Sequence, residues 1–403
     1  MGGKPKRILM VISSLKLGGG VERITTVLGT HLNRRHNEVH YLTFYDIRPR
    51  FPFEGKYYTL RGKLKKNHFF KRFWNLMYRA KKISDYCKKH RIDCVISHKE
   101  EANFSTVISR LLFRNKSRIF LTLQTNPLEE HGKLYKTLIS MLFPLGDKTI
   151  TVSKKIAIIL NESFGVNNTH PIYNMIDIKN NILMSKEHLP KNYSQRLKKG
   201  FNFVTIGRLV EPKGQWYLLR SMKKVIEKYP HTNLIIIGDG KLKKKHEALV
   251  NSLSIQDNVI FTGNQKNVLN FLKKSDCFVL TSLWEGLAIV LIEALNMNLP
   301  IISTDCETGP REVLTPELNN RKHNKYPYFG RYGILIEPFD RKFVFSDLEE
   351  TPLTSREEQL SKLMMDMVKD KKLRSQYSQG LKRAKDFDTT TILKEWEDLI
   401  HES

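Results

Sequence analysis

The chain contains the stretch WEGLAIVLIEALNMNLP at residues 284–300. Glu285 and Glu293 are eight positions apart in this stretch. At about 3.6 residues per turn, that spacing is a little over two helical turns, so it predicts one helix with both carboxylates on the same face. Taken alone, the pattern fits equally well an amphipathic helix whose two glutamates are simply solvated. The residues around the stretch therefore decide between a ligand site and a solvated face.

The short apolar run CFVLT at residues 277–281 comes just before the predicted helix. It predicts a buried strand, which makes residues 281–286 a strand-to-helix turn at the carboxyl edge of a sheet. Open α/β sheets bind their ligands at that edge. A helix start presents free backbone N–H groups and the positive end of the helix dipole, and both favour an anion such as a diphosphate. The N–H groups concerned are those of Gly286, Leu287 and Ala288.

A second strand-to-helix turn has the sequence GRLVEPKG at residues 207–214. It follows an apolar run at residues 201–206 and precedes an amphipathic run at residues 215–228. The turn therefore brings two cations to the same edge of the sheet. Arg208 can bind phosphate oxygens through its forked guanidinium, and Lys213 can add a point charge.

The combination of E-x7-E and G-R-L-x-x-x-K-G, each placed after a strand, resembles the family-4 retaining glycosyltransferases of the GT-B fold. The resemblance implies an α/β protein with two Rossmann-like, doubly wound parallel-sheet domains facing each other across a cleft. It also implies a nucleotide-sugar donor, and we expect a UDP-sugar rather than a GDP-sugar.

The segment TDCETGPREVL at residues 304–314 is similar to the branch of that family that builds bacterial surface polysaccharides and lipid-linked oligosaccharides. The branch implies transfer of a hexose or an N-acetylhexosamine to a lipid-linked or lipopolysaccharide-type glycan.

A chain of 403 residues with 40 % hydrophobic content can bury two sizeable cores, which predicts two domains, and the second of them alternates strands and helices. We expect an N-terminal acceptor-binding Rossmann-like domain at residues 1–178 and a C-terminal Rossmann-like domain that binds the nucleotide-sugar at residues 201–385. The polar, lysine-rich residues 179–200 are interpreted as a linker. Residues 386–403 are predicted to form a helix that crosses back to the N-terminal domain, as the resemblance implies.

The resemblance also assigns roles to residues at the predicted sheet edges. Arg208, Lys213 and Glu285 would be the catalytic residues, and they would stabilise the leaving diphosphate without a metal or another cofactor. Glu285 would also bind the sugar hydroxyls, and Glu293 the ribose. No enzyme carboxylate is placed as a nucleophile, so the resemblance implies front-face retention. The expected donor-binding backbone groups are those of Gly19, Gly20, Gly207, Gly238, Gly263, Asn264, Gly286, Leu287 and Ala288.

Two polar residues follow predicted strands of the first domain. His98 follows the strand at residues 93–97, and Gln124 follows the strand at residues 118–122. Many members of the resembled family have a histidine at the second of these positions, where it touches the donor sugar or the acceptor. Gln124 can hydrogen-bond a hydroxyl there but cannot act as a base. His98 could replace that histidine in space, although a lone histidine is more often structural.

The net charge of +27 is concentrated in the first half of the chain. Residues 1–200 contain 38 Lys and Arg against 14 Asp and Glu, whereas residues 201–403 contain 30 against 27. A positive field of this kind attracts polyanions.

Residues 67–91 hold much of this charge and combine it with apolar residues at helical spacings. The composition is typical of a helix in the interface of an anionic membrane, and a core-packed helix with a solvated basic face fits it equally well. The resembled family often handles lipid-borne acceptors, which favours a peripheral location on the cytoplasmic face of the cell membrane. The apolar residues are Phe70, Phe73, Trp74, Met77 and Tyr78.

Several classes of protein are disfavoured by composition. The sequence has no run of about 18 apolar residues, so it predicts no transmembrane helix. Its four cysteines are scattered without a C-x-x-C pair, which argues for a reduced, cytosolic protein without a zinc site. A soluble transferase or a sugar-nucleotide epimerase on the same fold stays open. A basic nucleic-acid-binding protein is less favoured, because no RNA- or DNA-binding motif is present.

Overall fold

The chain divides into two compact units. The first unit consists of residues 1–175 and 390–403, and the second unit consists of residues 176–389. Gly19, one of the expected donor residues, lies outside the described residues, as do residues 67 and 68. Apart from the side chains of residues 69–72, 130 and 198, the computed structural model describes residues 4–15, 20–47, 49, 51–62, 69–130, 132–198, 200–318, 325–341, 348 and 350–402.

The first unit is built on one sheet whose seven described strands are all parallel. These strands are β1 (Arg7–Ile12), β2 (Glu38–Tyr45), β3 (Lys56–Gly62), β4 (Cys94–His98), β5 (Arg118–Leu123), β6 (Lys148–Thr151) and β7 (Thr169–Pro171). Their order in the sheet is β3-β2-β1-β4-β5-β6-β7. The central strand β1 has the sequence RILMVI, a nearly continuous apolar run of the kind that parallel strands covered on both faces require.

Helices cover both faces of this sheet. They include α1 (Gly20–Arg34), α2 (Phe69–His90), α3 (Glu100–Phe113), α4 (Pro127–Glu130), α5 (Lys133–Leu142) and α6 (Lys154–Phe164). Leu28 of α1 packs in the core cluster that contains Ile8, whereas Ile83 of α2 packs in the cluster that contains Leu9. Since neighbouring residues of a strand point to opposite faces, α1 and α2 lie on opposite sides of the sheet.

The second unit repeats this plan with a sheet of seven described strands. They are β8 (Phe201–Ile206), β9 (Thr232–Ile237), β10 (Val259–Gly263), β11 (Cys277–Leu280), β12 (Ile301–Thr304), β13 (Tyr328–Phe329) and β14 (Ile334–Ile336). The order is β10-β9-β8-β11-β12-β14-β13, and all neighbours are parallel except β13 and β14. The α/β fold with doubly wound parallel sheets is confirmed.

The helices of the second unit also flank its sheet. They include α7 (Ile178–Ser185), α8 (Lys191–Ser194), α9 (Gln215–Lys228), α10 (Lys243–Ser252), α11 (Leu269–Lys273), α12 (Ile289–Asn296), α13 (Pro310–Leu314), α14 (Ser355–Lys369), α15 (Lys371–Gln376) and α16 (Gly380–Ala384). A capping box starts α14, in which the Thr354 side chain accepts from the Glu357 N–H and Glu357 accepts from the Thr354 N–H. Such a box satisfies donors that a helix start otherwise leaves unpaired.

The last helix of the chain, α17 (Thr389–His401), completes the core of the first unit. Its buried residues Ile392, Leu393 and Trp396 belong to the same core cluster as Ile8 and Leu28. The first unit is therefore assembled from two separate parts of the chain.

Residues 179–200 form part of the second unit instead of the expected linker, and the boundary between the units falls after Met175. Most of α7 and all of α8 lie in this range. The Asn267 amide donates to the Met184 carbonyl at 2.7 Å and to Glu187 Oε2 at 2.8 Å. A backbone carbonyl and one acidic side chain of this segment are thus tied to the residue that precedes α11 by two positions.

Candidate active site

The order of strands in the second sheet reverses between β8 and β11. Doubly wound sheets bind ligands at such a reversal, beyond the carboxyl ends of the strands. Residues 207–214 follow β8 and are here called the lysine loop, and residues 281–288 follow β11 and are called the glutamate loop. The two turns that the sequence singled out therefore lie on either side of the reversal.

An ion pair between Lys213 and Glu285 joins the two loops. Lys213 Nζ donates to Glu285 Oε1 at 2.5 Å, and the Ser282 hydroxyl donates to the same oxygen at 2.6 Å. The Glu285 side chain is only 9 % exposed and the Lys213 side chain 20 %, so the pair is partly shielded from water. Sequence reasoning named the lysine and the glutamate but missed Ser282, although its position three residues before Glu285 places it within reach of a turn hydrogen bond.

Further contacts brace the lysine loop against the glutamate loop. The Thr281 hydroxyl donates to the Lys213 carbonyl at 3.1 Å, and the Leu283 N–H donates to the Pro212 carbonyl at 2.7 Å. Gly214 has φ +56°, and a Cβ there would lie 2.4 Å from the Thr281 carbonyl oxygen. Only glycine fits this position without strain, so the approach of the two loops depends on it.

Helix α12 begins at Ile289, which places Glu285 in the loop before it. The prediction that Glu285 and Glu293 share one helix face is therefore wrong. Ala288 has φ 60° and ψ 65°, a left-handed conformation that cannot continue a helix towards Glu285. Glu293 lies within α12, and it is buried.

The three residues before α12 are all buried parts of the glutamate loop, namely Gly286, Leu287 and Ala288. No side chain caps the start of α12. The backbone N–H groups of the first turn of α12 therefore begin at Ile289, and the donor-binding role expected for residues 286–288 stays a prediction.

The exit turns of three neighbouring strands pack together at the same edge. The Gly207 N–H donates to the Ile237 carbonyl at 2.9 Å, and the Gly238 N–H donates to the Gly263 carbonyl at 2.9 Å. A Cβ on Gly238 would lie 2.0 Å from the Gly207 carbonyl oxygen, whereas one on Gly263 would meet open space. The structure thus gives Gly238 a packing role. Arg208, next in the chain to Gly207, has an exposed side chain, as does Asn264.

In the first unit, His98 ends β4, and Gln124 directly follows the neighbouring strand β5. His98 is buried, and its Nδ1 lies 2.9 Å from the Thr122 hydroxyl. Burial, helped by the nearby Lys99 charge, lowers the pKa of His98 to about 3, so its imidazole is neutral at pH 7. Gln124 is half-buried and accepts from the Asn174 amide at 3.0 Å. Gly20 begins α1.

The four cysteines are free and buried. Burial and the nearby Glu285 carboxylate raise the pKa of the Cys306 thiol well above its ordinary value, so it is protonated at neutral pH. Within the described ranges, His, Cys, Asp and Glu side chains form no group of three that could hold a metal ion.

Helix α2 carries exposed aromatic side chains at residues 73–78 and buried apolar side chains in its second half. Phe73, Trp74 and Tyr78 are 52 %, 69 % and 51 % exposed, whereas Ile83 and Cys87 are buried against the sheet. The core-packed interpretation of this segment is therefore confirmed for its second half. Met77 is half-buried, and the side chain of Phe70 lies outside the described residues.

Arg79 marks the point at which α2 meets the sheet. Its guanidinium pairs with Glu101 at the start of α3 and donates to the hydroxyl of Tyr45, the last residue of β2, at 3.0 Å. Arg79 therefore ties α2 to the carboxyl end of β2. Among the residues that the structure describes, no helix combines the length and apolar character that a membrane span needs.

Comparison with known proteins agrees with this architecture. The profile described as Glycosyltransferase Family 4 matches residues 18–180, and the profile described as Glycosyl transferases group 1 matches residues 190–322. An uncharacterised glycosyltransferase of Methanocaldococcus jannaschii is 44 % identical over 339 residues, which cover 81 % of this chain and 84 % of the relative. The chain belongs to the family-4 glycosyltransferases of the GT-B fold.

More distant proteins extend over nearly the whole chain. The N-acetylgalactosamine-N,N'-diacetylbacillosaminyl-diphospho-undecaprenol 4-alpha-N-acetylgalactosaminyltransferase of Campylobacter jejuni is 26 % identical over 94 % of both chains. The crystal structure of HepE from Anabaena in complex with UDP and glucose has a TM-score of 0.74 and 17 % identity, and covers 99 % of this chain and 100 % of that chain. The protein is therefore a glycosyltransferase.

Proposed function

We propose that the enzyme transfers a hexose or an N-acetylhexosamine from a nucleotide-sugar to a lipid-linked or lipopolysaccharide-type glycan. The transfer retains the anomeric configuration and needs no metal. The observation that carries this proposal is the contact of Lys213 with Glu285 at the strand-order reversal of the second unit, with the exposed Arg208 in the same loop as Lys213. Cations and a carboxylate at that edge match the two parts of the donor, since the diphosphate is anionic and the sugar presents hydroxyl groups.

The diphosphate of the donor acquires negative charge as the glycosidic phosphate bond breaks. The Arg208 guanidinium and the Lys213 ammonium supply fixed positive charge at that position, and the N–H groups of the glutamate loop add dipoles. These groups provide the stabilisation for which other enzymes use a divalent cation. A UDP-sugar is favoured over a GDP-sugar, in keeping with the UDP and glucose named for the Anabaena structure.

In the proposed step, the bond between the anomeric carbon and the β-phosphate oxygen breaks, and the acceptor oxygen bonds to the same face of that carbon. The acceptor's proton passes to an oxygen of the leaving diphosphate, so the products are the glycoside and the nucleoside diphosphate. Glu285 binds sugar hydroxyls in this scheme. The bonds from Lys213 and Ser282 hold its carboxylate in place through Oε1.

The acceptor side of the proposal rests on the first unit and on relatives. The Campylobacter enzyme is named for a diphospho-undecaprenol-linked acceptor. In this chain, the exposed aromatic residues Phe73, Trp74 and Tyr78 extend from a highly basic unit. Aromatic side chains beside Lys and Arg fit the headgroup region of an anionic membrane. We therefore place the enzyme at the cytoplasmic membrane surface, where a lipid-linked acceptor is presented, with Gln124 and His98 near the acceptor or sugar.

Donor binding tests the proposal directly. UDP-, GDP- and ADP-sugars should be compared for their effect on the melting temperature, with and without EDTA, since a ligand stabilises the folded state by mass action. UDP-sugars should stabilise the protein equally in both conditions, and Arg208→Ala should abolish the effect. Arg196→Ala is the matched control, because Arg196 precedes β8 at the other end of the sheet and bonds the Asp257 carbonyl.

Transfer is then measured with the best donor and undecaprenyl-diphosphate-linked monosaccharides, and product NMR reports the anomeric configuration. A donor shift that disappears in EDTA would contradict the metal-free site. An inverted product would contradict retention, and UDP release without any glycosylated lipid would contradict the acceptor class.

A further inference from the structure

We infer that residues 305–309, the loop after β12, hold the donor-sugar part of the site in position through Thr308 and Gly309. This inference rests on the proposed function, because it assigns the glutamate loop to the sugar. Residues 305–309 belong to the segment TDCETGPREVL, which from the sequence indicated only a branch of the family.

Thr308 bonds the backbone of the catalytic glutamate. Its hydroxyl donates to the Glu285 carbonyl, and the Thr308 residue is almost fully buried. Four residues earlier, at the end of β12, the Thr304 hydroxyl donates to the Ser282 carbonyl at 2.6 Å. The buried hydroxyls of Thr304 and Thr308 thus hold the glutamate loop at two of its backbone carbonyls. A buried carbonyl that lost its donor would be left unsatisfied, so the loop is expected to move when a hydroxyl is removed.

Gly309 determines how closely the loop after β12 approaches the glutamate loop. Its φ is +97° and its ψ is −75°, a conformation that L side chains rarely adopt. A Cβ there would lie 2.9 Å from the carbonyl carbon and oxygen of Leu287 and 3.0 Å from the Gly286 oxygen. All of these are backbone atoms, which cannot rotate away as a side chain would. Any larger residue at this position must displace Gly286 and Leu287.

The supporting loop is itself anchored. Its first residue, Asp305, accepts from Arg311 Nε at 3.0 Å and from the Tyr326 hydroxyl at 2.7 Å. The Asp305 N–H also donates to the Ile336 carbonyl at 2.9 Å. Asp305 is buried, so an unpaired carboxylate there would be costly. These contacts connect the glutamate loop, through Asp305, to α13 and to the segment that begins at Tyr326.

The sugar and the nucleotide of the donor are assigned to different loops of the second unit. Residues 305–309 contact the glutamate loop, which the proposed function assigns to the sugar. The exit turns of β9 and β10, at Gly238 and Gly263, are assigned to the nucleotide and lie on the other side of β8 in the sheet order. Loss of the Thr308 hydroxyl should therefore weaken binding of a UDP-sugar more than binding of UDP. Thr308 and Gly309 are positioning residues, since they act through Glu285, Gly286 and Leu287.

The test compares Thr308→Val with Thr315→Val. Both substitutions remove a buried threonine hydroxyl that donates to a backbone carbonyl, but the Thr315 bond, to the Arg311 carbonyl at 2.8 Å, lies within α13 and its end. Calorimetry should give the dissociation constants of UDP and of whichever of UDP-glucose, UDP-galactose, UDP-N-acetylglucosamine and UDP-N-acetylgalactosamine binds best. Thr308→Val should weaken UDP-sugar binding roughly 5- to 10-fold, the size of one lost hydrogen bond, and leave UDP binding unchanged.

Hydrogen exchange of the ligand-free protein supplies a second measurement that needs no donor. The peptide covering residues 282–291 should exchange faster in Thr308→Val than in the wild type or in Thr315→Val. Gly309→Ala should raise the exchange rate more than Thr308→Val does, because its Cβ displaces the glutamate loop directly. Tyr326→Phe should raise it less, because it removes only one hydrogen bond that anchors Asp305. Unchanged exchange together with unchanged UDP-sugar binding overturns the inference, and so does an equal loss of UDP and UDP-sugar. If the wild type binds no nucleotide-sugar, the proposed function fails, while the exchange measurement still decides the role of Thr308.

Discussion

Each unit of this enzyme has a lysine–glutamate ion pair across the strand-order reversal of its sheet. In the first unit, Glu22 follows β1 and Lys99 follows β4, and in the second unit, Lys213 follows β8 and Glu285 follows β11. The N···O distance is 2.5 Å in both pairs. The two sheets thus offer the same place for a ligand, with the order of the two charges along the chain exchanged.

The surroundings of the two pairs differ. Glu285 also accepts from Ser282, and its loop is braced on two sides. Lys99 has φ 72° and ψ 154°, a strained conformation for a residue with a side chain, and its neighbour His98 is buried and neutral. The comparison teaches that a repeated sheet provides the location of a site, whereas the loops after its strands provide the chemistry. A diphosphate needs the same charges in every donor, but acceptors vary.

The largest expected difference between the two ion pairs is the effect of removing each lysine on the release of UDP. Lys213→Ala should lower turnover of a UDP-sugar roughly 10²- to 10³-fold, because the leaving diphosphate loses a fixed charge. Lys99→Ala should leave the slow, acceptor-independent release of UDP close to the wild-type rate. The measurement is UDP release with and without a lipid-linked acceptor. Equal losses of acceptor-independent release in the two variants would show that the first-unit pair also acts on the donor.

The exposed aromatic residues provide a second contrast between the units. Trp74→Ala should weaken binding to phosphatidylserine vesicles by roughly 10-fold or more, since a large apolar side chain contributes about 1.5–3 kcal/mol when it leaves water. Phe329→Ala is the control, because Phe329 is 54 % exposed and lies in the second unit, outside the basic segment at residues 67–91. Vesicle co-sedimentation at low and high salt measures both. Similar losses in the two variants would argue against a specific membrane surface on α2.

Acid should affect the units to different extents through two buried histidines. Burial lowers the pKa of His98 to about 3 and that of His246 to about 4, from 6.5. Their contributions to stability are therefore full above pH 6.5 and are lost progressively as the pH falls to about 3 and about 4. Each pH unit in that window costs up to about 1.4 kcal/mol per histidine.

Denaturant titrations across that window should detect this loss. His98→Gln should flatten the pH dependence over a wider range than His246→Gln, since the folded and unfolded pKa values of His98 differ more. If both substitutions leave the slope unchanged, other groups govern acid unfolding.

The sequence was sufficient to predict the doubly wound sheets and the residues that meet at the second reversal. Apolar strands such as β1 and β8 are recognisable because both faces are covered, and Lys213 and Glu285 each follow such a strand. The edge strand β3 was not predicted, because its sequence KYYTLRG contains no fully buried residue and no continuous apolar run. Central strands are apolar because both faces are buried, so the loops that follow them are easier to assign than the edge strands of the sheet.

The start of α12 could not be predicted from spacing. Residues 285–288 fit a helical pattern, but Ala288 is left-handed and the preceding loop is held by Thr308 and Gly309. Those contacts come from a segment more than twenty residues later in the chain, and local periodicity contains no information about them. The bond from Ser282 to Glu285 is local, and a search for hydroxyl side chains close to each candidate carboxylate would have found it.

The position of α17 has a consequence for biosynthesis. A ribosome produces the β-strands of the first unit early, yet the helix whose Ile392, Leu393 and Trp396 cover one face of that sheet is made only after all of residues 176–389. Domains generally fold as they are synthesised, so the second unit can form its core while the first still exposes apolar surface. During this interval the nascent first unit depends on protection from aggregation, and ribosomal pausing late in the message would prolong the exposure.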